Sequence, residues 1–227
     1  LANRLAIQHF VNAYTQETGK GYLLHKNQQT STQQAFSQGL TLLILPIHSI
    51  QAQCYFPLSY VSRVGRHRVA NLPQIIIQGQ SKTFSPVAIV GLLLEELVSA
   101  SSIPLDAASL VEKWIQSRDA LQQFLVQREH EFDDLIKAGQ SFIETEQALI
   151  LGHSMHPAPK SRTGFVHEDW LKFSPEHKGK TQLHYWLVHQ DYIAEGCATD
   201  ESISSQLKNA LQWYLSENDL NLLKTHT

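Results

Sequence analysis

Short apolar runs in the first third of the chain constrain the fold most strongly. β-Branched and aromatic residues dominate these runs, and proline, glycine, asparagine and serine separate them. Runs of this length and composition, bounded by turn residues, are typical of an antiparallel meander. We therefore expect about three to four antiparallel strands in this region. The runs are Leu40–Pro46, Ile50–Phe56, Tyr60–Val69 and Pro73–Gln78.

Helical periodicity precedes and follows the strand region. The spacing of apolar residues from Ile7 to Tyr14 predicts a first helix that stops at Thr18-Gly19. Ser85 before Pro86 is a typical helix start, and the apolar stretch Val87–Val98 predicts a central helix. Because strands and helices occur in blocks rather than in alternation, the predicted class is α+β, an antiparallel β-meander packed with several α-helices.

The remaining segments complete the prediction. The polar stretch Gln28–Gln38 lacks a period and is interpreted as a loop. No linker or repeat divides the chain, so residues 1–227 are predicted to form a single domain, with a subdivision near residue 150 as the alternative. Further predicted elements are a helix that opens at Pro104, carries Trp114 and Leu125 and extends to Ile136, a short helix Glu168–Phe173, a strand Gln182–Val188 and a last helix Leu207–Leu215.

Composition excludes several classes of function. The net charge is -3, with 18 basic against 21 acidic residues, which leaves no cationic excess for a nucleic acid backbone. The longest apolar run, Ile89–Leu94, is far shorter than the roughly 20 residues that span a bilayer, so we expect no membrane segment. Cys54 and Cys197 are the two cysteines, which gives no disulfide framework and favours a reducing, cytoplasmic setting.

The segment Gly152–Phe165 is the strongest candidate for a functional site. Pro157 and Pro159 disfavour a helix and predict an extended backbone. In a β-like or a polyproline conformation alike, His156 and Arg162 would share one side. Cations and imidazoles on a stiff loop suit a polyanion such as a triphosphate or a polycarboxylate. The alternative from spacing alone is a solvated loop that carries surface charges.

The order and spacing of residues in this segment resemble a family motif. The pattern G-H-P-x-H-P-x-x-K-x-R-x-G-F belongs to the IucA/IucC family, the NRPS-independent siderophore synthetases. Ser154 departs from it, since the family usually has proline there. The resemblance is strong from about Glu146 to Val188 and weak in the strand region. Its matching residues are His153, His156, Pro157, Lys160, Arg162, Gly164 and Phe165, followed by Trp170, Phe173–Glu176 and Leu183–Trp186.

The resemblance implies an ATP-dependent ligase. Such an enzyme activates a carboxylate of citrate or a related polycarboxylate as an acyl adenylate and condenses it with an amine or a hydroxyl. Lys160 and Arg162 would contact the phosphates, with Mg²⁺ bridging them. The resemblance also suggests a homodimer, and it assigns no catalytic residue. The implied ATP- and substrate-binding residues are His153, Ser154, His156, Lys160, Arg162, Thr163 and Gly164.

The resemblance further implies that the chain is the N-terminal, thumb-like domain of a longer synthetase. The family's fingers and palm regions, which carry further phosphate contacts, have no counterpart in residues 1–227. We therefore expect the chain to be inactive by itself.

Two other functions stay open at this point. His153 and His156, with His184 and His189 downstream, could form a zinc or iron site, since both metals accept imidazole. Alternatively, the chain could be a non-catalytic interaction domain, docking a partner helix through an apolar helix face. The candidate faces are Leu92–Val98 and Leu207–Leu215.

Overall fold

The computed structural model describes residues 1–101, 105–134, 137, 139–182, 184, 186, 188–192, 194, 205 and 209. Contacts divide the chain into two units, Leu1–Thr181 and Gln182–Thr227. In the second unit, a short 3₁₀ helix spans Gln190–Tyr192. Except for Asn209, the predicted last helix Leu207–Leu215 lies outside the described residues. Residues 183, 185 and 187 of the predicted strand Gln182–Val188 also lie outside them, and its described residues are not assigned to a strand.

Six antiparallel strands form one sheet within the described residues. The sheet order is β1-β2-β3-β5-β6, and β4 also pairs with β3. Each of the four predicted runs contains part of a strand, so the β-meander and the α+β class are confirmed. The strands are β1 (Tyr22–Leu24), β2 (Thr41–Ile47), β3 (Ala52–Tyr60), β4 (Arg68–Val69), β5 (Gln74–Ile77) and β6 (Gln80–Lys82).

Two strands were not predicted, because backbone pairing rather than side-chain pattern forms them. β1 pairs with β2, with Leu23 opposite Leu43. β6 is polar and exposed, but it pairs with β5 through a tight turn at Gln78 and Gly79. Both turn residues have positive φ, 50° and 78°, as a type I′ hairpin turn requires. The turn therefore aligns β6 on the sheet without help from buried side chains.

One face of the sheet carries the main core. Helix α1 (Ala2–Thr18) and helix α3 (Pro86–Ala100) contribute Phe10 and Leu93 to it, against Phe56 of β3. Gly19 ends α1 in the left-handed conformation, and the Ser85 hydroxyl caps α3, as predicted. The Leu92–Val98 face belongs to the same core, because Leu93 and Leu94 are buried and Leu92 and Leu97 pack against it. Trp114 of the next helix joins it by donating its indole N–H to the Ala6 carbonyl at 3.2 Å.

The opposite face of the sheet is covered by a helix where a loop was predicted. Helix α2 (Ser31–Ser37) lies within Gln28–Gln38, and Phe36 packs against Tyr55. Thr30 and Gln33 form a capping box in which each side chain accepts an N–H of the other residue. The loop prediction is wrong because capping, rather than an apolar period, starts this short helix.

The long helix α4 spans Ala107–Gln127 and begins after Asp106, whose carboxylate accepts the Ser109 N–H at 3.1 Å. Pro104, Leu135 and Ile136 lie outside the described residues. Within the described residues the α-helix ends at Gln127, earlier than predicted. A 3₁₀ turn, Glu129–Glu131, follows α4. The last helices of this unit are α5 (Phe142–Gln147) and α6 (His167–Phe173), the second of which confirms the predicted Glu168–Phe173 helix. None of the described helices combines the length and apolarity needed to cross a bilayer.

Candidate functional site

The segment between Gly152 and Gly164 folds as consecutive turns. The His156 N–H donates to the His153 carbonyl at 3.2 Å, and the Ser161 N–H donates to the Ala158 carbonyl at 3.2 Å. The two imidazoles reinforce these turns, because Nδ1 of His153 and of His156 accepts the backbone N–H two residues on. The prediction of an extended backbone is therefore wrong. Prolines fit turns as well as extended chain, so they did not decide between the two.

The turns separate residues that an extended chain would bring to one side. His156 lines an apolar cavity of about 460 Å³ between α1, α3 and α4. Arg162 lines a different, more polar cavity of about 310 Å³ beside α4 and α6. The structure therefore does not bring His156 and Arg162 together. Ser154 is half-buried, and His153, His156, Thr163 and Gly164 are exposed.

Lys160 is buried, with 5% of its surface exposed. Its Nζ donates to Oε1 of Glu176 at 2.6 Å and to the Leu149 carbonyl at 2.7 Å. Its backbone N–H donates to the Ser117 hydroxyl of α4 at 2.9 Å. Burial lowers the pKa of Lys160, and the hydrogen bond to Glu176 acts in the opposite direction. The ammonium is thus held by protein groups.

Arg162 shares the same carboxylate but reaches solvent. Its Nη2 donates to both oxygens of Glu176, at 2.8 and 3.0 Å, and 27% of its side chain is exposed. The guanidinium carbon lies 4.6 Å from the ring centroid of Trp170 and 5.8 Å from that of Phe165. The cavity beside it is also lined by Gln116 and Gln123. Arg162 is therefore a fixed cation on an aromatic platform at the edge of a polar cavity.

Glu176 joins the two cations, and it is a site residue that sequence reasoning missed. It is 4% exposed and also accepts the Ser174 hydroxyl at 2.5 Å. Burial alone would raise its pKa, but the hydrogen bonds from Lys160 and Ser174 lower it to about 2. The signal was present in the sequence, since Phe173–Glu176 belongs to the stretch that resembles the family. No pattern, however, linked Glu176 to Lys160 or Arg162.

A rigid turn presents Glu176. The 3₁₀ turn Pro175–His177 follows α6 directly. Nη1 of Arg128, at the end of α4, donates to the Glu176 carbonyl at 2.9 Å and to the Gln147 carbonyl at 2.8 Å. A Cβ at Gly179 would lie 2.6 Å from the Lys172 carbonyl oxygen, so the chain can return against α6 only with glycine there. The carboxylate is therefore fixed from both its backbone and its side chain.

His9 of α1 is a second residue that the sequence did not single out. It is 2% exposed, and its Nδ1 has no hydrogen-bond partner. Burial lowers the pKa of His9 to about 4, and the positive charges of Lys160, His153 and His156 add to this effect. The charge of the segment is thus felt inside the first helix, which favours a neutral imidazole at position 9.

Comparison with known proteins supports the resemblance. Residues 141–226 match the sequence model of the IucA / IucC family. Over these residues the chain is similar to the IucA/IucC family. The resemblance described above is thereby confirmed, and the residue cluster around Glu176 lies within the matched region.

Similar proteins cover far more than this chain. It is 28% identical over 245 residues to the spermidine-citrate ligase of Bacillus anthracis, covering 100% of the chain and 40% of that protein. It is 32% identical over 141 residues to the L-2,3-diaminopropanoate–citrate ligase of Staphylococcus aureus, covering 52% of the chain and 24% of that protein. The chain thus spans 40% or less of the length of these two relatives.

A solved structure shares the fold. The ATP-bound aerobactin synthetase IucA from a hypervirulent pathotype of Klebsiella pneumoniae superposes with a TM-score of 0.66 at 24% identity. The match covers 77% of this chain and 29% of that chain. An IucA/IucC synthetase therefore contains the same sheet-and-helix arrangement.

The described residues give no support to a resident metal site. Among them, no three histidine, cysteine, aspartate or glutamate side chains are grouped so that they could hold a metal ion. His153 and His156 instead direct Nδ1 at backbone N–H groups. His184 and His189, the other members of the predicted metal set, belong to the second unit.

Proposed function

We propose that this chain is part of an ATP-dependent siderophore synthetase. The enzyme adenylates a carboxylate of citrate or a related polycarboxylate and condenses it with an amine or a hydroxyl. The match to the IucA/IucC family model supports this proposal. So do two relatives whose names describe ligases of spermidine and of L-2,3-diaminopropanoate with citrate. The chain contributes one part of the nucleotide site, and by itself we expect it to be inactive, since it spans 40% of the Bacillus relative.

The chemistry requires cations at the phosphates. A carboxylate oxygen attacks the α-phosphorus of ATP, the bond to the bridging oxygen breaks, and pyrophosphate leaves. The nucleophile then attacks the acyl carbon, AMP leaves, and the nucleophile loses its proton. Negative charge accumulates on the phosphate oxygens in the first step, so a cation that is already in place stabilises the transition state more than the ground state.

The observation that carries the proposal is the mounting of Arg162. Two hydrogen bonds to Glu176 and the Trp170 ring fix its guanidinium, and a quarter of the side chain stays open. A planar guanidinium offers further N–H donors in a geometry that suits phosphate oxygens. We therefore assign the phosphate contact to Arg162. The residues that complete the proposed ATP- and substrate-binding segment are His153, Ser154, His156, Thr163 and Gly164.

Mg²⁺ enters this proposal as the counterion of ATP. The two oxygens of Glu176 already accept hydrogen bonds from Lys160, Arg162 and Ser174. The described residues around Arg162 therefore do not fit a resident Mg²⁺ site, and no step of the reaction is assigned to the metal.

The test is citrate-dependent release of AMP and pyrophosphate by the full protein that contains this chain. Arg162→Gln should lower kcat/KM for ATP by about tenfold or more, because a charge-assisted contact is lost. Arg63→Gln is the matched control, since Arg63 is an exposed arginine between β3 and β4. The proposal would be contradicted if no di- or tricarboxylate supported the release of AMP, or if Arg162→Gln kept full activity. Turnover by the 227-residue chain alone would contradict its expected inactivity.

A further inference from the structure

We infer that Lys160 and Glu176 are positioning residues, a buried pair that aims Arg162 at an anionic ligand while Lys160 itself makes no ligand contact. This inference rests on the proposed function, since the ligand of Arg162 is taken to be the triphosphate of ATP. It differs from the motif-based expectation, in which Lys160 and Arg162 contact the phosphates side by side.

Charge is the first argument. Two cations share one carboxylate, so the group of Lys160, Arg162 and Glu176 carries one excess positive charge. Lys160 and Glu176 have 6% and 5% exposed side chains, whereas Arg162 has 27%. A buried excess charge is costly, and it can be solvated or matched by an anion only where the group opens. That opening is at Arg162.

The commitments of Lys160 are the second argument. Its ammonium has three N–H donors, and two of them are directed at Glu176 and the Leu149 carbonyl. Its Nζ also lies 5.9 Å from the centroid of the Phe124 ring. Because the Lys160 side chain is 6% exposed, its ammonium could reach a phosphate in the open cavity only by moving away from Glu176, which would leave that carboxylate with one cation. Its present geometry instead holds Oε1 of Glu176, the same atom that Arg162 contacts.

The mounting of Glu176 is the third argument. Arg128 holds the backbone of the turn, and the Ser174 hydroxyl holds Oε2. Lys160 holds Oε1 as well. A carboxylate that is held by Lys160 and Ser174, on a backbone held by Arg128, has little freedom to move with Arg162. The position of Glu176 therefore determines that of the Arg162 guanidinium. Preorganisation of this kind lowers the entropy lost when a ligand binds.

A double-mutant cycle on the full protein tests the inference. We expect Arg162→Gln to raise KM for ATP about tenfold, and Lys160→Met or Glu176→Gln to raise it about threefold through a misaimed Arg162. In the Arg162→Gln background, neither second change should raise KM further, because the residue they position is gone. Additive effects of Lys160→Met and Arg162→Gln would overturn the inference, since they would show an independent ligand contact.

Two controls distinguish a loss of folding from a changed orientation of the Arg162 guanidinium. Activities are measured well below the lowest melting temperature of the set. Glu96→Gln serves as the matched control, because Glu96 is also buried and accepts the Ser49 N–H at 3.2 Å, but it lies on α3. We expect this variant to lose stability and to keep its KM for ATP. A rise in its KM equal to that of Glu176→Gln would show that the effect is general and would contradict a positioning role.

A second readout needs no activity. Phenylglyoxal labelling of Arg162, followed by mass spectrometry, reports how firmly the guanidinium is held. We expect phenylglyoxal to label Arg162 faster in the double variant Lys160→Met/Glu176→Gln than in the wild type. In the wild type, we expect inorganic pyrophosphate to protect Arg162 from labelling. Equal labelling rates would overturn the positioning role even if AMP release is found. Absence of AMP release with an altered labelling rate would instead contradict the proposed function alone.

Discussion

The sheet with α1 and α3 differs in its interior from the stretch between residues 149 and 179. In the first region, fully buried side chains such as Phe56, Ile75 and Leu93 are apolar and belong to one continuous cluster. In the second, the buried side chains include Lys160, Ser174 and Glu176. The apolar cluster of this second region is small, with Phe124 and Ile150 buried in it and Trp170 packed against it. The first region is thus held by one large apolar core, and the second by a small apolar cluster together with a few specific hydrogen bonds and ion pairs.

This difference affects how each region should respond to mutation. Apolar contacts are numerous and nearly independent, so a loss is graded by the volume removed. Hydrogen bonds that meet on one carboxylate depend on each other, so removal of one partner leaves the others buried and unmatched. Four experiments, ordered by expected effect, can break or sharpen this contrast.

Trp114→Ala should give the largest loss in the apolar region. The indole is fully buried, and its hydrogen bond to the Ala6 carbonyl would be lost together with its apolar contacts. We expect the free energy of unfolding in urea to fall by about 4 kcal/mol. Val126→Ala on the exposed side of the same helix should change it by less than about 0.5 kcal/mol. Similar losses for the two variants would show that α4 is not part of the core.

Glu176→Gln, which replaces one carboxylate oxygen by an amide nitrogen, should lower the free energy of unfolding nearly as much as Trp114→Ala. The pKa of Glu176 is lowered from 4.5 to about 2, so its stabilising contribution is present above pH 4.5 and is lost as pH falls towards 2. The wild type should lose about 3 kcal/mol over this interval, and Glu176→Gln should lack this loss because it is already destabilised at pH 7. Urea unfolding at several pH values measures both. An unchanged pH profile would place the stabilising charges elsewhere.

His9→Gln tests the buried imidazole of α1, whose pKa is lowered by burial and, to a smaller extent, by the charges of the segment. The pKa of His9 is lowered from 6.5 to about 4, so the unfolded chain binds a proton between these values and the folded chain does not. Stability therefore decreases as pH falls, by about 2 kcal/mol between pH 7 and pH 5. His9→Gln should reduce this slope, whereas the exposed His48→Gln should leave it unchanged. If His9→Gln and the wild type have the same slope, burial does not keep the His9 imidazole neutral in the folded chain.

Thr30→Ala addresses the smallest effect, the cap of α2. The Thr30 hydroxyl accepts the Gln33 N–H, and Gln33 accepts the Thr30 N–H. Removing the hydroxyl should lower the free energy of unfolding by about 1 kcal/mol. Thr32→Ala, an exposed threonine one residue inside the helix, should be neutral or slightly stabilising because alanine is the better helix former. Equal effects of the two variants would contradict a capping role.

The candidate segment was identified from the sequence, but its geometry was predicted only in part. The spacing of His153, Lys160 and Arg162 was specific enough to identify the family and the segment. The direction of each side chain was not, since proline is compatible with both extended chain and turns. The actual turns depend on imidazole nitrogens that accept nearby N–H groups, an interaction that no period of the sequence reports.

The sequence by itself determined the elements whose signals are local. The apolar period and the helix caps predicted α1, α3 and α6, and β-branched runs predicted the central strands. In these elements the buried positions carry apolar side chains, so the pattern along the sequence follows the pattern of burial. Tertiary structure alone decided that β1 and β6 pair, that α2 covers the second sheet face, and that Glu176 meets Lys160 across 16 residues. These contacts join segments that are neighbours only in the folded chain. A buried charge therefore meets its partner only after the packing of the core has brought the two segments together.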